Sequence, residues 1–153
     1  MFIGEAPGYW EDMKGKPFVG VAGKFLDILL EEANLSRKSV FITNIVKCRP
    51  PNNREPSEEE IQICTLYLDR QIRVIEPKII VTLGNYSTNC ILHKVGLPFN
   101  GITHAHGKFY EMSIFGLQTM IFATFHPASA LYHPKYKNLL KRDFQVLKES
   151  ISK

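Results

Sequence analysis

Lys78-Ile79-Ile80-Val81-Thr82-Leu83 is the stretch whose reading decides the architecture. A strand with one wet face alternates apolar and polar residues, whereas a strand covered on both faces reads as a continuous apolar run. This run therefore predicts a strand inside a parallel sheet, with helices on both sides. Pro77 marks the end of whatever precedes it. Upstream, Ser57-x-x-Glu60 is a capping box that opens a helix. On that helix Ile61, Cys64, Leu68, Ile72 and Ile75 form one apolar stripe. Downstream, residues 85–94 read as the next helix.

The same alternation extends to both ends of the chain. Residues 1–4 predict a short buried strand that stops at a Pro/Gly turn, and residues 21–33 a helix with Phe25, Leu26, Leu29 and Leu30 inward. Residues 39–46 predict the second strand, and Pro50-Pro51-Asn52-Asn53 excludes regular structure after it. Residues 108–115 and 117–125 read as two strands of a hairpin turning at Gly116, and residues 137–151 as a last helix. Strands alternating with helices imply an α/β sandwich around a mainly parallel sheet.

The bulk properties are consistent with this and narrow the function little. The 153 residues suit one domain, 1–153, large enough for a sizeable core. Net charge is +4 with a pI near 9.0, which permits a polyanionic partner without requiring one. No apolar stretch is long enough to span a membrane. Three cysteines, Cys48, Cys64 and Cys90, make a complete disulfide framework unexpected and point to a reducing cytoplasm. Met1-Phe2-Ile3 enters the first strand with no lead-in, so an upstream segment is expected.

In open α/β sheets the site lies beyond the carboxyl ends of the strands. Three polar or Gly/Pro-rich segments fall there: residues 5–8, 44–54 and 126–128. Four segments, in order, resemble the family 4 uracil-DNA glycosylases. They are Gly4-Glu5-Ala6-Pro7-Gly8-x-x-Glu11-Asp12, Lys16-Pro17-Phe18-Val19-Gly20-x-Ala22-Gly23, Thr43-Asn44-Ile45-Val46-Lys47-Cys48-Arg49-Pro50-Pro51-x-Asn53-Arg54, and His126-Pro127-Ala128. Cys64-x-x-x-Leu68-x-x-Gln71 is a weaker fifth match.

The resemblance implies the glycosylase fold, a three-layer α/β/α sandwich, and an enzyme that flips uracil out of DNA and hydrolyses its bond to the sugar. It makes Phe18 the ring that stacks on the base and Asn44 the residue that reads its pairing edge. An amide both donates and accepts, as the adjacent carbonyl and N–H of uracil require. His126 becomes the donor to uracil O2, where negative charge develops. Glu5 positions the attacking water and stabilises the cationic sugar. Family 1 enzymes place an Asp where this chain has Ala6, so Glu5 is expected to act more by orientation than as a strong base. Glu11 closes the pocket against thymine, and Ala6 and Gly8 complete the base-binding set.

Lys47, Arg49 and Arg54 are the expected phosphate contacts, with Gly20 and Gly23 admitting a phosphate to the backbone. Leu131, with Tyr132, is the candidate wedge that fills the vacated stack. The family holds a four-iron, four-sulfur cluster on four cysteines. Cys48 and Cys64 match two of them, and the other pair lies upstream in the family, outside this sequence.

Uracil-containing DNA is thus the expected partner, a replication clamp or polymerase a candidate second one, and a monomer the expected state. Two other readings stay open from sequence alone. One is a module of the same fold that binds DNA or uracil without cutting; the other is an unrelated nucleotide-binding α/β protein, although no G-x-G-x-x-G or Walker lysine pattern is present.

Overall fold

A computed structural model describes residues 1–152. Its sheet contains β1 (Phe2–Gly4), β2 (Ile42–Asn44), β3 (Ile79–Leu83), β4 (Lys108–Ile114) and β5 (Leu117–Thr124), in the order β2-β1-β3-β5-β4. Strands β1, β2, β3 and β5 are parallel, and β4 pairs antiparallel with β5. That hairpin turns through Phe115 and Gly116, at φ +53° and +83°. Positive φ at both central residues is the signature of a type I′ hairpin turn.

The helices are α1 (Tyr9–Lys14), α2 (Val21–Glu32), α3 (Glu58–Ile75), α4 (Asn85–Lys94), α5 (Ile102–Ala105), α6 (Ser129–Tyr132) and α7 (Pro134–Ile151). Successive strand residues point to opposite faces. Phe2, Val81 and Phe122 meet Leu26 and Leu29 of α2 and Leu140 and Phe144 of α7. Ile3, Ile80 and Ile121 meet Leu68 and Ile72 of α3 and Ile91 and Leu92 of α4. The expected three-layer sandwich follows, with β3 buried on both faces as its apolar run requires.

The Ser57 capping box forms reciprocally: the Glu60 N–H donates to the Ser57 hydroxyl, and the Ser57 N–H to the Glu60 carboxylate. Several expectations need correction. The second strand is only Ile42–Asn44, because Ser36 and Ser39 cap a 3-10 turn over Arg37–Ser39 and draw the chain away from pairing. Ile75 is 37% exposed, in the last turn of α3, where the chain swings through Glu76 at φ +49° toward β3. The last helix starts at Pro134, which fits the first helical position with its missing N–H. The Pro/Asn loop holds one 3-10 turn, Pro51–Asn53, with Asn52 and Asn53 left-handed. Among the described residues no helix is long and apolar enough to cross a membrane.

Candidate functional site

The carboxyl ends of β1, β2 and β5 deliver Gly4, Asn44 and the Thr124-Phe125-His126 segment to one place. A side chain at Gly4 would force its neighbours to move: a Cβ would lie 2.5 Å from Asn44 Oδ1 and 2.6 Å from Phe18 Cζ. Glycine thus lets Asn44 and Phe18 close over the end of β1. Above them opens a cavity of about 480 Å³ lined by Glu5, Ala6, Gly8, Glu11, Phe18, Asn44 and His126, among others. All seven residues assigned to the base and the chemistry from sequence therefore share one cavity.

Asn44 is buried, and among the described residues its Oδ1 has no hydrogen-bond partner. A buried orphan acceptor is costly and marks a place for a donor. His126 presents the complementary group. The Ala128 N–H donates to His126 Nδ1 at 3.1 Å, so Nδ1 is the acceptor nitrogen and the proton sits on Nε2. Burial pushes the imidazole pKa down to about 4, with Glu11 opposing the shift. His126 is therefore neutral near pH 7, with a fixed tautomer and one N–H to donate. Its ring stacks on Phe18, centroids 5.5 Å apart and planes 28° apart.

Phe18 is held in an unusual backbone state, φ +50°. Arg37, which carries no motif signal, clamps it: Nη1 donates to the Phe18 carbonyl and to Asp27 Oδ1, both at 2.8 Å, and Nη2 donates to the Pro17 carbonyl. Gly23 completes the clamp, since a Cβ there would sit 1.9 Å from the Phe18 carbonyl oxygen. Its role in this structure is to admit that carbonyl.

The two carboxylates differ. Burial alone would raise the Glu11 pKa, but backbone donors outweigh it and hold the group below its ordinary range. The N–H groups of Val19 and Gly20 reach Glu11 Oε1 at 3.0 and 2.9 Å, tying α1 to the Phe18 turn. Glu5 is raised instead, first by burial and then by the neighbouring Glu55 charge. Among the described residues no hydrogen-bond donor reaches it, in contrast to Glu11.

The basic residues are less free than their loop suggests. Lys47 turns inward, its Nζ donating to Thr43 Oγ1 (2.8 Å), the Asn44 carbonyl (2.6 Å) and Gln71 Oε1 (2.8 Å). Burial lowers its pKa to about 8, with Cys64 opposing. In this structure it braces the end of β2 below Asn44. Arg54 is exposed but paired with both carboxylate oxygens of Glu60 at 2.9 and 2.7 Å. Arg49 donates to Asn53 Oδ1 at 2.7 Å and lies over the Tyr9 ring. Gly20 sits at the N-terminus of α2, beside the pocket wall. Leu131 and Tyr132 are exposed on α6, and Tyr132 also lines the cavity.

Cys48 is exposed, Cys64 is half-buried, and both are free. Among the described residues no three His, Cys, Asp or Glu side chains converge as metal ligands. A four-iron, four-sulfur cluster needs four protein ligands, so these two cysteines alone do not fit one.

What the pocket offers is an aromatic wall, an unpaired acceptor beside an amide donor, a neutral imidazole N–H and one unquieted carboxylate. That set suits a planar ring bearing adjacent carbonyl and N–H groups. Residues 1–148 match the family described as the Uracil DNA glycosylase superfamily. The chain is 54% identical over 153 residues to a type-4 uracil-DNA glycosylase of Saccharolobus solfataricus, spanning 99% of this chain and 71% of that protein. Over 150 residues it is 53% identical to a type-4 enzyme of Sulfurisphaera tokodaii, with 97% and 68% covered. A type-4 enzyme of Archaeoglobus fulgidus is 44% identical over 153 residues, with 100% and 77% covered.

Proposed function

The chain belongs to the uracil DNA glycosylase superfamily, and from that premise we propose that its pocket takes a uracil extruded from DNA and hydrolyses the bond between base and deoxyribose. The observation that carries the assignment of roles is the buried, unpartnered Asn44 Oδ1 in the same cavity as the neutral His126.

Extruding a base costs a few kcal/mol of stacking and pairing. Phe18 returns part of that by offering its face. Asn44 Oδ1 accepts from uracil N3–H, and its amide N–H donates to O4; cytosine presents the reverse pattern at both atoms. As the glycosidic bond lengthens, negative charge collects on the base and positive charge on the sugar. His126 Nε2–H donates to O2, where that negative charge grows. A neutral donor suits an anion that forms only during the reaction, because it adds no charge to the ground state.

Glu5, ionised, orients the attacking water and faces the cationic sugar. Its carboxylate gains nothing from hydrogen bonds that would lower its basicity. Water adds to the sugar carbon as the carbon–nitrogen bond breaks, and the base leaves with the bonding electrons. The proton lost by that water balances the charge of the departing base, and an abasic site remains. Glu11 shapes the wall near uracil C5, its charge absorbed by Val19 and Gly20.

The direct test is excision from an oligonucleotide with one uracil, followed by alkali to break the abasic strand. Cleavage at uracil, absent at thymine in the same context, is the expected result. Tight binding with no cleavage would replace this reading with a non-cutting module. Asn44→Asp is the sharper arm, with uracil excision falling by the roughly 1–3 kcal/mol that one paired base contact is worth.

A further inference from the structure

Helix α1 leaves an aromatic surface beside the pocket that the chemistry above does not use. Tyr9 is 48% exposed and Trp10 55%, with Met13 next to them at 66%. At 100° per residue, Tyr9, Trp10, Met13 and Lys14 share one arc of about 140°, and Glu11 and Asp12 point away from it. Resting on the glycosylase reading, we propose that α1 is a stacking platform for an unpaired base next to the extruded uracil, which gives the protein a preference for single-stranded DNA.

Charge around the rings selects this partner. Lys14 Nζ lies 5.9 Å from the Trp10 centroid, and Arg49 Cζ lies 5.2 Å from the Tyr9 centroid. A cavity of about 270 Å³ runs between Trp10, Lys14, Val19, Gly20, Val21 and Lys24. Exposed rings framed by lysines and arginine match a chain that alternates flat bases with phosphates. Asp12 faces a separate cavity with Gly15 and Pro17, so it does not interrupt the basic frame.

Position and rigidity complete the case. Tyr9 directly follows Gly8, which lines the uracil cavity. Glu11, on the same helix, is fixed to Val19 and Gly20. The platform is thus held one residue from the pocket. The two rings meet edge to face, centroids 5.1 Å apart at 81°, so they do not form a parallel slot around a base. Bases within a duplex have both faces covered by neighbours and cannot use such a surface. An unpaired base can.

Trp10 is the only tryptophan in the chain, and its fluorescence reads the platform directly. The protein is titrated with a uracil-free single strand and with a blunt hairpin of the same sequence. Quenching by the strand, at concentrations where the hairpin produces none, is expected. Trp10→Ala should raise KM on single-stranded uracil substrate about tenfold, the worth of one stacked base, with kcat and duplex excision unchanged. Trp10→Phe should restore most of the loss. Absence of quenching, or equal loss on both substrates, overturns the platform. Because the titration contains no uracil, quenching without excision would unseat the glycosylase reading alone, and excision without quenching the platform alone.

Discussion

The floor of the pocket and its rim are built on opposite terms. On the floor, Phe18, Asn44 and His126 are buried or half-buried around Gly4, in a backbone held by specific contacts. Arg37 and Gly23 hold the Phe18 turn, Lys47 braces the carbonyl of Asn44, and the Ala128 N–H sets the His126 tautomer. On the rim, Tyr9, Trp10, Arg54, Leu131 and Tyr132 stand exposed with few or replaceable partners. The chemistry needs fixed donors aimed at developing charge, since preorganised groups need no reorganisation during the reaction. DNA contacts gain from adaptability instead, because the strand must enter and leave.

That contrast ranks the consequences of mutation. Replacing His126 by Ala removes a fixed donor from the floor and should lower the single-turnover excision rate by about 10²–10³. Affinity for uracil-free strands should stay unchanged. A loss of DNA binding equal to the loss of rate would move His126 from chemistry to structure.

Gly23→Ala attacks the floor from behind without touching substrate. The added methyl meets backbone at Phe18, which cannot rotate aside. Overpacking of this kind costs about 1–3 kcal/mol, which for a chain of this size lowers Tm by roughly 2–12 °C. Displacing Phe18 by about 1 Å should also cost on the order of 100-fold in rate. Wild-type Tm and rate would mean that the Phe18 turn is looser than its clamp implies.

The acid limb of the rate profile measures how the two regions meet. Excision requires ionised Glu5, whose pKa is raised by burial and by Glu55. The rate should therefore fall as pH drops through a midpoint above the ordinary glutamate value of about 4.3. Glu55 belongs to the exposed loop, and Glu55→Gln removes one of the two causes, so the midpoint should move to lower pH. His126 adds no limb near pH 6.5, because its own pKa lies near 4. A midpoint unmoved in Glu55→Gln would leave burial as the sole cause.

Legibility in the sequence divides along the same line. Strand β3 and helix α3 were readable because a continuous apolar run and a reciprocal capping box are local signals. Asn44, His126 and Glu5 were readable because strand ends and short motifs mark them. Arg37 was not, since a clamp made from backbone carbonyls nineteen and twenty residues away has no local pattern. The inward turn of Lys47 was equally hidden: it depends on Gln71, which only the packing of α3 brings near. Helix α1 carries no such signal, because six residues between glycines, with no buried side chain, present no apolar periodicity.

Arg54 gives the smallest and most discriminating effect. As a rim cation it suits a phosphate, yet its guanidinium holds Glu60, whose pKa it depresses to about 2. Glu60 also caps α3 through the Ser57 N–H, so it keeps a partner if Arg54 leaves. If the pair persists in the complex, Arg54→Ala should leave excision unchanged and the dependence of binding on salt the same. If Arg54 instead exchanges Glu60 for a phosphate, the slope of log affinity against log salt should drop by about one. Exposed ion pairs are weak enough to exchange. The salt titration therefore tells whether the rim is a preformed surface, as the floor is, or one that DNA rearranges.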